Sequence, residues 1–284
     1  MVRLLASFLF AFVLSAAPPQ RIISTTPSIT EILYALGAGD RVVGVTTFCR
    51  YPAEAQQKPK IGDYIHPNLE AITALRPDLV IIQNNPVRLA ERLSALHLRS
   101  LEVKENDLTE ITLSIREIGS AIGASAAAEK LVQSMQARIA KISGQAATSP
   151  HARVLFIVGR HPGSLDGLIA AGPHSYVNEI IELAGAKNIF PDARLAYPQV
   201  TFEEVLARDP DIIIDFGDMA NPSLITEDHK REIVSLWRRR AASLRAAREG
   251  RVYAVAADVF VVPGPRAVVA VETVFGLLHG ERKQ

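Results

Sequence analysis

The sequence predicts an α/β protein made of two similar lobes and a long connecting helix. Short apolar segments of strand length alternate with amphipathic segments of helix length in both halves of the chain, a pattern that favours mostly parallel sheets. Segments of the second half repeat segments of the first. Between the halves, residues 125–143 carry apolar side chains three and four residues apart, as one face of a helix requires. Together these observations predict two Rossmann-like lobes joined by a single long α-helix.

The composition is that of a globular protein without a charge bias. With 284 residues, 48% of them hydrophobic, the chain can bury a substantial core in two domains. The 31 basic and 30 acidic side chains nearly cancel, so there is no reason to expect a nucleic acid or an anionic membrane as partner. We expect the arginine-rich run at residues 237–251 to be a solvated helix face.

Residues 1–17 are predicted to be an export signal. Arg3 precedes an apolar run, and small residues ending at Ala17 supply a cleavage site before Pro18. The run is too short to span a membrane, so we expect cleavage near Ala17 and a mature protein in the periplasm. Cys49 is the only cysteine and lies far from this segment, which leaves neither an internal disulfide nor a lipid-modified mature N-terminus.

The first lobe is predicted to cover residues 18–122. Strands are predicted at residues 21–25, 41–47, 79–83 and 100–103, with helices at residues 30–37, 69–76, 87–96 and 108–122. Residues 48–67 form a loop with three prolines and three aromatic residues, Phe48, Tyr51 and Tyr64. A loop of this composition has the features of a recognition segment.

The second lobe is predicted to cover residues 150–284 and to resemble the first. It begins with a strand at residues 153–159. Two blocks match the first lobe: residues 178–190 over 30–42, and residues 203–215 over 70–82. These matches align Glu179 with Glu31, Glu203 with Glu70, and Asp211 with Asp78. The stretch between the blocks is longer in the first lobe because it contains the aromatic loop.

Residues 123–149 are predicted to link the lobes. Gly123 suits the left-handed end of the preceding helix, and Ser125 is a candidate N-cap of the linking helix. At ~1.5 Å per residue that helix spans roughly 30 Å, about the width of a small domain. Two lobes on such a tether leave a cleft between them, and clefts of this kind commonly hold ligands.

Motifs of catalysis are absent from the sequence. It contains no G-x-S-x-G elbow, no G-x-x-x-x-G-K phosphate loop and no H-E-x-x-H helix. The seven histidines have no ligand-like spacing, which argues against a structural zinc site, although three of them can still converge in space. We therefore predict a protein that is not an enzyme and has no cofactor. A periplasmic enzyme or redox protein is the remote alternative.

Glu70 and Glu203 are aligned by the repeat, each in the first turn of its helix. One explanation is structural, because a carboxylate near a positive helix end stabilises the helix by ~0.3 to 1 kcal/mol. The alternative is that the two residues are matched docking charges for a two-fold partner.

Several short motifs carry a family resemblance. They are Thr26-Pro-Ser-Ile-Thr-Glu31, Tyr51-Pro52, Asn68-Leu69-Glu70 with Pro77-Asp78-Leu79-Val80, Asn188-Ile189-Phe190, and Tyr197-Pro198-Gln199-Val200 with Glu203. In these motifs the chain resembles the helical-backbone class of periplasmic binding proteins, which serve ABC importers of vitamin B12, haem and iron siderophores. The resemblance covers nearly the whole mature chain. It implies the class III periplasmic binding protein fold, a monomer, and docking of Glu70 and Glu203 to arginines of the inner-membrane permease dimer.

The resemblance also implies a ligand site in the cleft. It favours a corrinoid, cobalamin or cobinamide, with haem or a ferric siderophore as the alternative. Family members line the cleft with aromatic residues. By this resemblance, Tyr64 and Tyr197 fall where tryptophans are typical. Gln83 falls at another aromatic position, and the loss of that aromatic ring removes a large apolar contact. His66 is a candidate ligand for cobalt or haem iron, the alternative being an unliganded loop histidine. The predicted ligand-binding residues are Phe48, Tyr51, Tyr64, His66, Gln83, Tyr197, Phe260 and Arg266.

Overall fold

The computed structural model describes residues 17–84, 87–148, 150–217, 226–255 and 258–280. It contains two separate sheets, one in each half of the chain, and confirms the predicted α/β fold with mostly parallel sheets. The predicted export signal, up to residue 16, lies outside the described residues. Within those ranges no helix combines the length and the apolar character that a membrane crossing requires.

The first sheet has four strands, all parallel, in the order β2-β1-β3-β4. The strands are β1 (Ile22–Ser24), β2 (Val42–Gly44), β3 (Leu79–Gln83) and β4 (Ser100–Val103). Its helices are α1 (Pro27–Ala35), α2 (Leu69–Ala74), α3 (Leu89–Ala95) and α4 (Leu108–Ala121). The central strand β1 is buried along its whole length, because apolar side chains cover both faces of the sheet.

The second sheet has six strands, in the order β10-β9-β5-β6-β8 with β7 paired to β5. The strands are β5 (Arg153–Gly159), β6 (Leu168–Ala170), β7 (Lys187–Asn188), β8 (Gln199–Val200), β9 (Ile212–Asp215) and β10 (Val252–Ala254). The helices of this half are α6 (Tyr176–Leu183), α7 (Phe202–Arg208), α8 (Glu227–Arg240), α9 (Arg245–Arg248) and α10 (Ala267–His279). The pairings of β6 with β5 and with β8 are antiparallel, and the other pairings are parallel.

The linking helix, α5 (Ser125–Ala146), begins where it was predicted and extends three residues further than predicted. Val132, Met135 and Ile142 are buried, as their spacing predicts. The predicted cap is wrong: Ala124 occupies the N-cap position without a side-chain hydrogen bond, and Ser125 is the first helical residue. The helix packs against α4 in the first half and against α6 and α10 in the second. The domain boundaries after residues 122 and 149 stay a prediction.

The internal repeat extends to a hydrogen-bond pattern at the start of each sheet. The Asp78 carboxylate accepts the backbone N–H of Arg21 at 3.0 Å, and the Asp211 carboxylate accepts that of Arg153 at 2.8 Å. Each arginine side chain also donates to the backbone carbonyl two residues before the matching aspartate, at 3.1 and 3.3 Å. Matching hydrogen bonds therefore hold the start of the first strand in each half.

Candidate ligand-binding cleft

Several of the predicted ligand residues follow strands of the two sheets, whereas Tyr197 precedes β8. Phe48 and Tyr51 follow β2, Gln83 ends β3, and Arg266 follows β10. Because parallel strands end at the same edge of a sheet, the loops after them come together there, and open α/β sheets bind ligands outside this edge. Both halves thus place loops of the predicted set at such an edge, and a common cleft lined by these residues stays a prediction.

Arg266 connects the two halves of the chain through its side chain. Its guanidinium Nε donates to Glu31 Oε2 at 2.9 Å and a terminal nitrogen bonds Glu31 Oε1, so α1 of the first half is tied to the start of α10. The same guanidinium makes two 2.9 Å bonds to the carboxylate of Asp258. A second bond joins the halves: the backbone N–H of Leu108, in the first turn of α4, donates to Glu179 Oε2 in α6 at 2.8 Å.

The charges of this cluster are nearly enclosed. The side chain of Glu31 is 2% exposed and that of Arg266 is 19% exposed. Burial raises the pKa of Glu31 while Arg266 opposes the shift, and the Asp258 charge adds to it. Burial lowers the pKa of Arg266, but hydrogen bonds and charges from Glu31 and Asp258 raise it by more. Four of the five guanidinium N–H donors are used by carboxylates, so the arginine is already neutralised.

Several aromatic and apolar side chains of the loops in both halves are exposed, and one of them covers this cluster. The Tyr51 ring covers Arg266, with 4.1 Å between the guanidinium carbon and the ring centroid. Phe48 is 56% exposed and Tyr197 is 45% exposed. Two further exposed residues, Ile65 and Leu195, were missed by the sequence analysis, although each lies in the same loop as a predicted aromatic residue. Exposed apolar groups of this kind mark binding surfaces.

Tyr64 and His66 occupy different environments within the aromatic loop. The Tyr64 hydroxyl donates to the backbone carbonyl of Asn84 at 2.9 Å, and burial, with a smaller effect of the Glu105 charge, raises its pKa. The His66 side chain is 81% exposed, with Nδ1 3.3 Å from the Asp63 carboxylate. In the described part of the chain no three His, Cys, Asp or Glu side chains are grouped to hold a metal ion. Axial ligation by His66 alone stays a prediction.

Phe260 departs from the prediction. It is 1% exposed, and its ring lies against Phe156, with 5.4 Å between the centroids. A short 3-10 turn, Asp258–Phe260, directs this side chain into the core of the second half. Phe260 therefore contributes to packing beneath the cleft and presents no surface to a ligand.

A buried ion pair lies at the carboxyl edge of the second sheet. Arg160, directly after β5, donates to the Asp215 carboxylate at 2.9 Å, and their side chains are 5% and 0% exposed. Trp237 Nε1 and the backbone N–H of Gly217 donate to the same carboxylate, both at 2.6 Å. Because the carboxylate is satisfied within the protein, this pair stabilises the sheet edge and offers no free charge to a ligand.

Glu105 is a second buried carboxyl group near the cleft that the sequence analysis missed. It is 2% exposed and follows β4. The Ser28 hydroxyl donates to its Oε2 at 2.5 Å, whereas Oε1 is buried without a hydrogen-bond partner among the described residues. Burial raises the pKa of Glu105 to about 8; the Ser28 bond opposes this shift and the Glu31 charge adds to it.

A polar recess of about 320 Å³ lies beside this group. Its lining residues come from the ends of β3 and β4 and from the start of α4: Gln83, Asn84, Lys104, Glu105, Asn106 and Glu110. The sequence signal for this recess is the run of polar and charged residues after β4, Lys104 to Asn106.

Glu70 and Glu203 occupy equivalent positions, in the first turns of α2 and α7. Both are exposed. Their helices are capped by other residues, Asn68 in one case and Thr201 with Glu204 in the other. Within the described residues neither Glu70 nor Glu203 makes a hydrogen bond or an ion pair, so both carboxylates are available to a partner. Glu203 also lines a surface groove of about 680 Å³.

Comparisons with known proteins agree with this geometry. A family model described as periplasmic binding protein matches residues 22–259. The vitamin B12-binding protein of Vibrio cholerae serotype O1 is 30% identical, in an alignment that covers 100% of this chain and 99% of the relative.

Two solved structures show the same architecture. The crystal structure of the periplasmic vitamin B12 binding protein of Vibrio cholerae matches with a TM-score of 0.77 at 30% identity, covering 94% of this chain and 99% of the other. The periplasmic heme-binding protein of Roseiflexus sp. RS-1 matches with a TM-score of 0.75 at 27% identity, covering 91% and 97%.

Proposed function

Since the chain belongs to the periplasmic binding protein family, we propose that it captures a corrinoid, cobalamin or cobinamide, in the interlobe cleft and delivers it to the permease of an ABC importer. The family consists of non-enzymatic solute-binding proteins of ABC transporters, and this chain is one of them. Its place of action is outside the cytoplasmic membrane. Periplasmic location after cleavage near Ala17, the monomeric state and the identity of the ligand are parts of the proposal.

The neutralised state of Arg266 is the observation that carries the choice of ligand. Haem bears two propionate carboxylates, and ferric siderophores are commonly anionic, whereas corrinoids carry uncharged carboxamides. Glu31, Asp258 and Arg266 together sum to one net negative charge when both carboxylates are ionised. An anionic ligand would find no free cation in this cluster and would meet uncompensated negative charge. The similarity to vitamin B12-binding proteins supports the same choice.

The exposed apolar side chains suit the flat faces of a large macrocycle. Phe48 and Tyr51 lie on the first half and Tyr197 on the second, so they can contact a ligand from both sides. Aromatic rings supply large, rigid contact areas, and ligand sites are lined mainly by such groups with a few polar ones. In this proposal Tyr64 and Gln83 add polar contacts to the ligand. Arg266 positions the Tyr51 ring, and His66 is a candidate axial ligand of the cobalt.

Titration calorimetry and visible absorbance test the ligand assignment. We expect cyanocobalamin and dicyanocobinamide to bind at micromolar concentrations or tighter, and haem to bind more weakly. Tyr51→Ala should weaken corrinoid binding, whereas Leu113→Ala should not, because Leu113 is equally exposed (50% against 49%) but lies on α4. Failure of the purified protein to bind either corrinoid at micromolar concentrations would exclude this function, and preferential binding of haem would select the alternative.

The docking role of Glu70 and Glu203 is tested by separating binding from transport. We expect Glu70→Ala and Glu203→Ala to leave corrinoid affinity nearly unchanged but to reduce uptake by membrane vesicles that contain the importer, since exposed carboxylates would pair with permease arginines. Glu117→Ala removes a comparable exposed charge from α4 and should leave uptake unchanged. A main effect of either docking variant on ligand affinity in calorimetry would show that the assignment is wrong.

A further inference from the structure

Glu105 lies where a ligand of the cleft can reach it. It follows β4, on the same sheet edge as Gln83 at the end of β3, and both residues line the polar recess. Its Ser28 partner belongs to the first turn of α1, the helix that is tied to Arg266 through Glu31. The position of a Cβ at Gly264, in the second half, would lie only 3.5 Å from Ser28. Glu105 is therefore bonded to a residue that lies at the contact between the two halves.

The hydrogen bonds of this carboxyl group are incomplete. Oε2 accepts from Ser28, but Oε1 has no partner within the described ranges, although it is buried. Native proteins pair nearly all buried polar groups, because an unsatisfied one destabilises the folded state. Among the described residues, Oε1 is therefore the carboxyl oxygen that is open to a ligand.

The surroundings of Glu105 favour its neutral form. The titratable groups that face it are the Glu31 carboxylate from α1 and the Tyr64 phenol from the aromatic loop, and neither supplies positive charge. The neighbouring Lys104 is exposed, and the described contacts of Glu105 include no ion pair. The pKa of about 8 agrees with this environment. With Ser28 donating to Oε2, the proton lies on Oε1, which then has an O–H to donate.

We propose that Glu105 is a ligand-binding residue whose protonated carboxyl group donates a hydrogen bond from Oε1 to the carbonyl oxygen of a ligand carboxamide seated in the polar recess. This rests on the proposed function, because the carboxamides are those at the periphery of a corrinoid. The side-chain amides of Gln83, Asn84 and Asn106 line the same recess and can both donate to and accept from such a group. Lys104 and Glu110 also line the recess; their opposite charges offset each other, so the recess favours a neutral polar group.

Calorimetric titration with cyanocobalamin at pH 6.5 and pH 9 tests this role. For the unmodified protein we expect roughly tenfold weaker binding at pH 9, because only about a tenth of a group with a pKa of about 8 stays protonated there. Glu105→Gln keeps an N–H donor and has no charge, so its affinity should be equal at both pH values. Glu105→Ala should bind about fivefold more weakly than the unmodified protein at pH 6.5. Glu102→Gln removes an exposed charge beside the recess and should keep the tenfold pH dependence.

The possible failures can be told apart. If the unmodified protein binds cyanocobalamin but Glu105→Gln keeps the pH dependence, the role of Glu105 is overturned and the proposed function stands. If the unmodified protein binds no corrinoid at either pH, both are overturned. A carbon-13 NMR titration of the Glu105 carboxyl in the unmodified protein provides a test without substitution. We expect ionisation near pH 8 in the free protein and at higher pH in the complex; ionisation near the ordinary value, or no shift on binding, would overturn the proposal.

Discussion

Arg266 binds one carboxylate from each half of the chain, and its Glu31 partner is almost fully enclosed. Removal of one member of a buried pair leaves an uncompensated charge and typically costs 3 to 5 kcal/mol. We therefore expect Arg266→Ala to lower the free energy of unfolding by roughly 3 kcal/mol in urea denaturation at pH 7. The surface pair of Arg138 with Glu272 has the same bidentate geometry but is 47% and 41% exposed, so Arg138→Ala should cost less than about 1 kcal/mol. Equal losses would show that the enclosure of Glu31 has no energetic effect.

Glu105 should make stability depend on pH. Its pKa is raised from 4.5 to about 8 in the folded protein, so the folded state binds a proton more tightly than the unfolded state does. Stability then falls as pH rises above 4.5, and the loss is complete above about pH 8. Relative to the unmodified protein, Glu105→Gln should gain roughly 2 to 5 kcal/mol in unfolding free energy between pH 5 and pH 9. Urea denaturation at both pH values measures this difference, and a constant difference would contradict the burial effect.

The surroundings of a single residue could be predicted from the sequence only where they depend on its neighbours in the chain. The exposure of Phe48 and Tyr51 could be predicted because they stand in a loop that follows a strand. Phe260 could not, because a short turn decides which way its ring points. The bond between Glu31 and Arg266 joins residues 235 positions apart, and no periodicity or spacing in the sequence encodes that pairing.

Helices α4 and α5 approach each other closely at Gly119. A Cβ added there would lie 2.4 Å from the Cβ of Ala128, far inside normal contact. Gly119→Ala should therefore force the helices apart and lower the unfolding free energy by about 1 to 3 kcal/mol. Gly144 is the matched control, because it is an exposed helical glycine of α5 with no atom within 4 Å of an added Cβ. Gly144→Ala should stabilise the protein by roughly 0.5 to 1 kcal/mol. Thermal unfolding of both variants measures the two changes in stability. Similar changes in the unfolding free energy of the two variants would contradict close packing at Gly119.

Long elements were predicted more accurately than short ones. Helix α5 could be predicted because five apolar positions share one face, and its first residue could be predicted from the break at Gly123. The N-cap was misplaced because Gly123, with φ of 73°, turns the chain so that Ala124 takes that position. Helix α1 begins at Pro27, three residues before the prediction, since proline suits the first helical position and Thr26 caps the helix. Strands β7 and β8 have two residues each, too few for a period to be recognised.

The whole molecule should change shape little when it binds its ligand. A continuous helix resists bending, because bending breaks its hydrogen bonds, and α5 packs on helices of both halves. We expect the radius of gyration from solution scattering to be unchanged within error between the free protein and the cyanocobalamin complex. A large decrease on binding would contradict a rigid tether and would identify the break at Gly123 as a hinge.

The glutamates that connect the halves are each other's counterparts in the repeat. Glu31 in α1 bonds the start of α10, the last helix of the second half, and Glu179 in α6 bonds the start of α4, the corresponding helix of the first half. Each half therefore supplies a glutamate to the start of the last helix of the other half, although the donor is the Arg266 guanidinium in one contact and the backbone N–H of Leu108 in the other. Equivalent positions of the two halves thus meet across their junction, as equivalent positions of two subunits do in an isologous dimer. The internal repeat therefore includes the contact between the halves as well as the halves themselves.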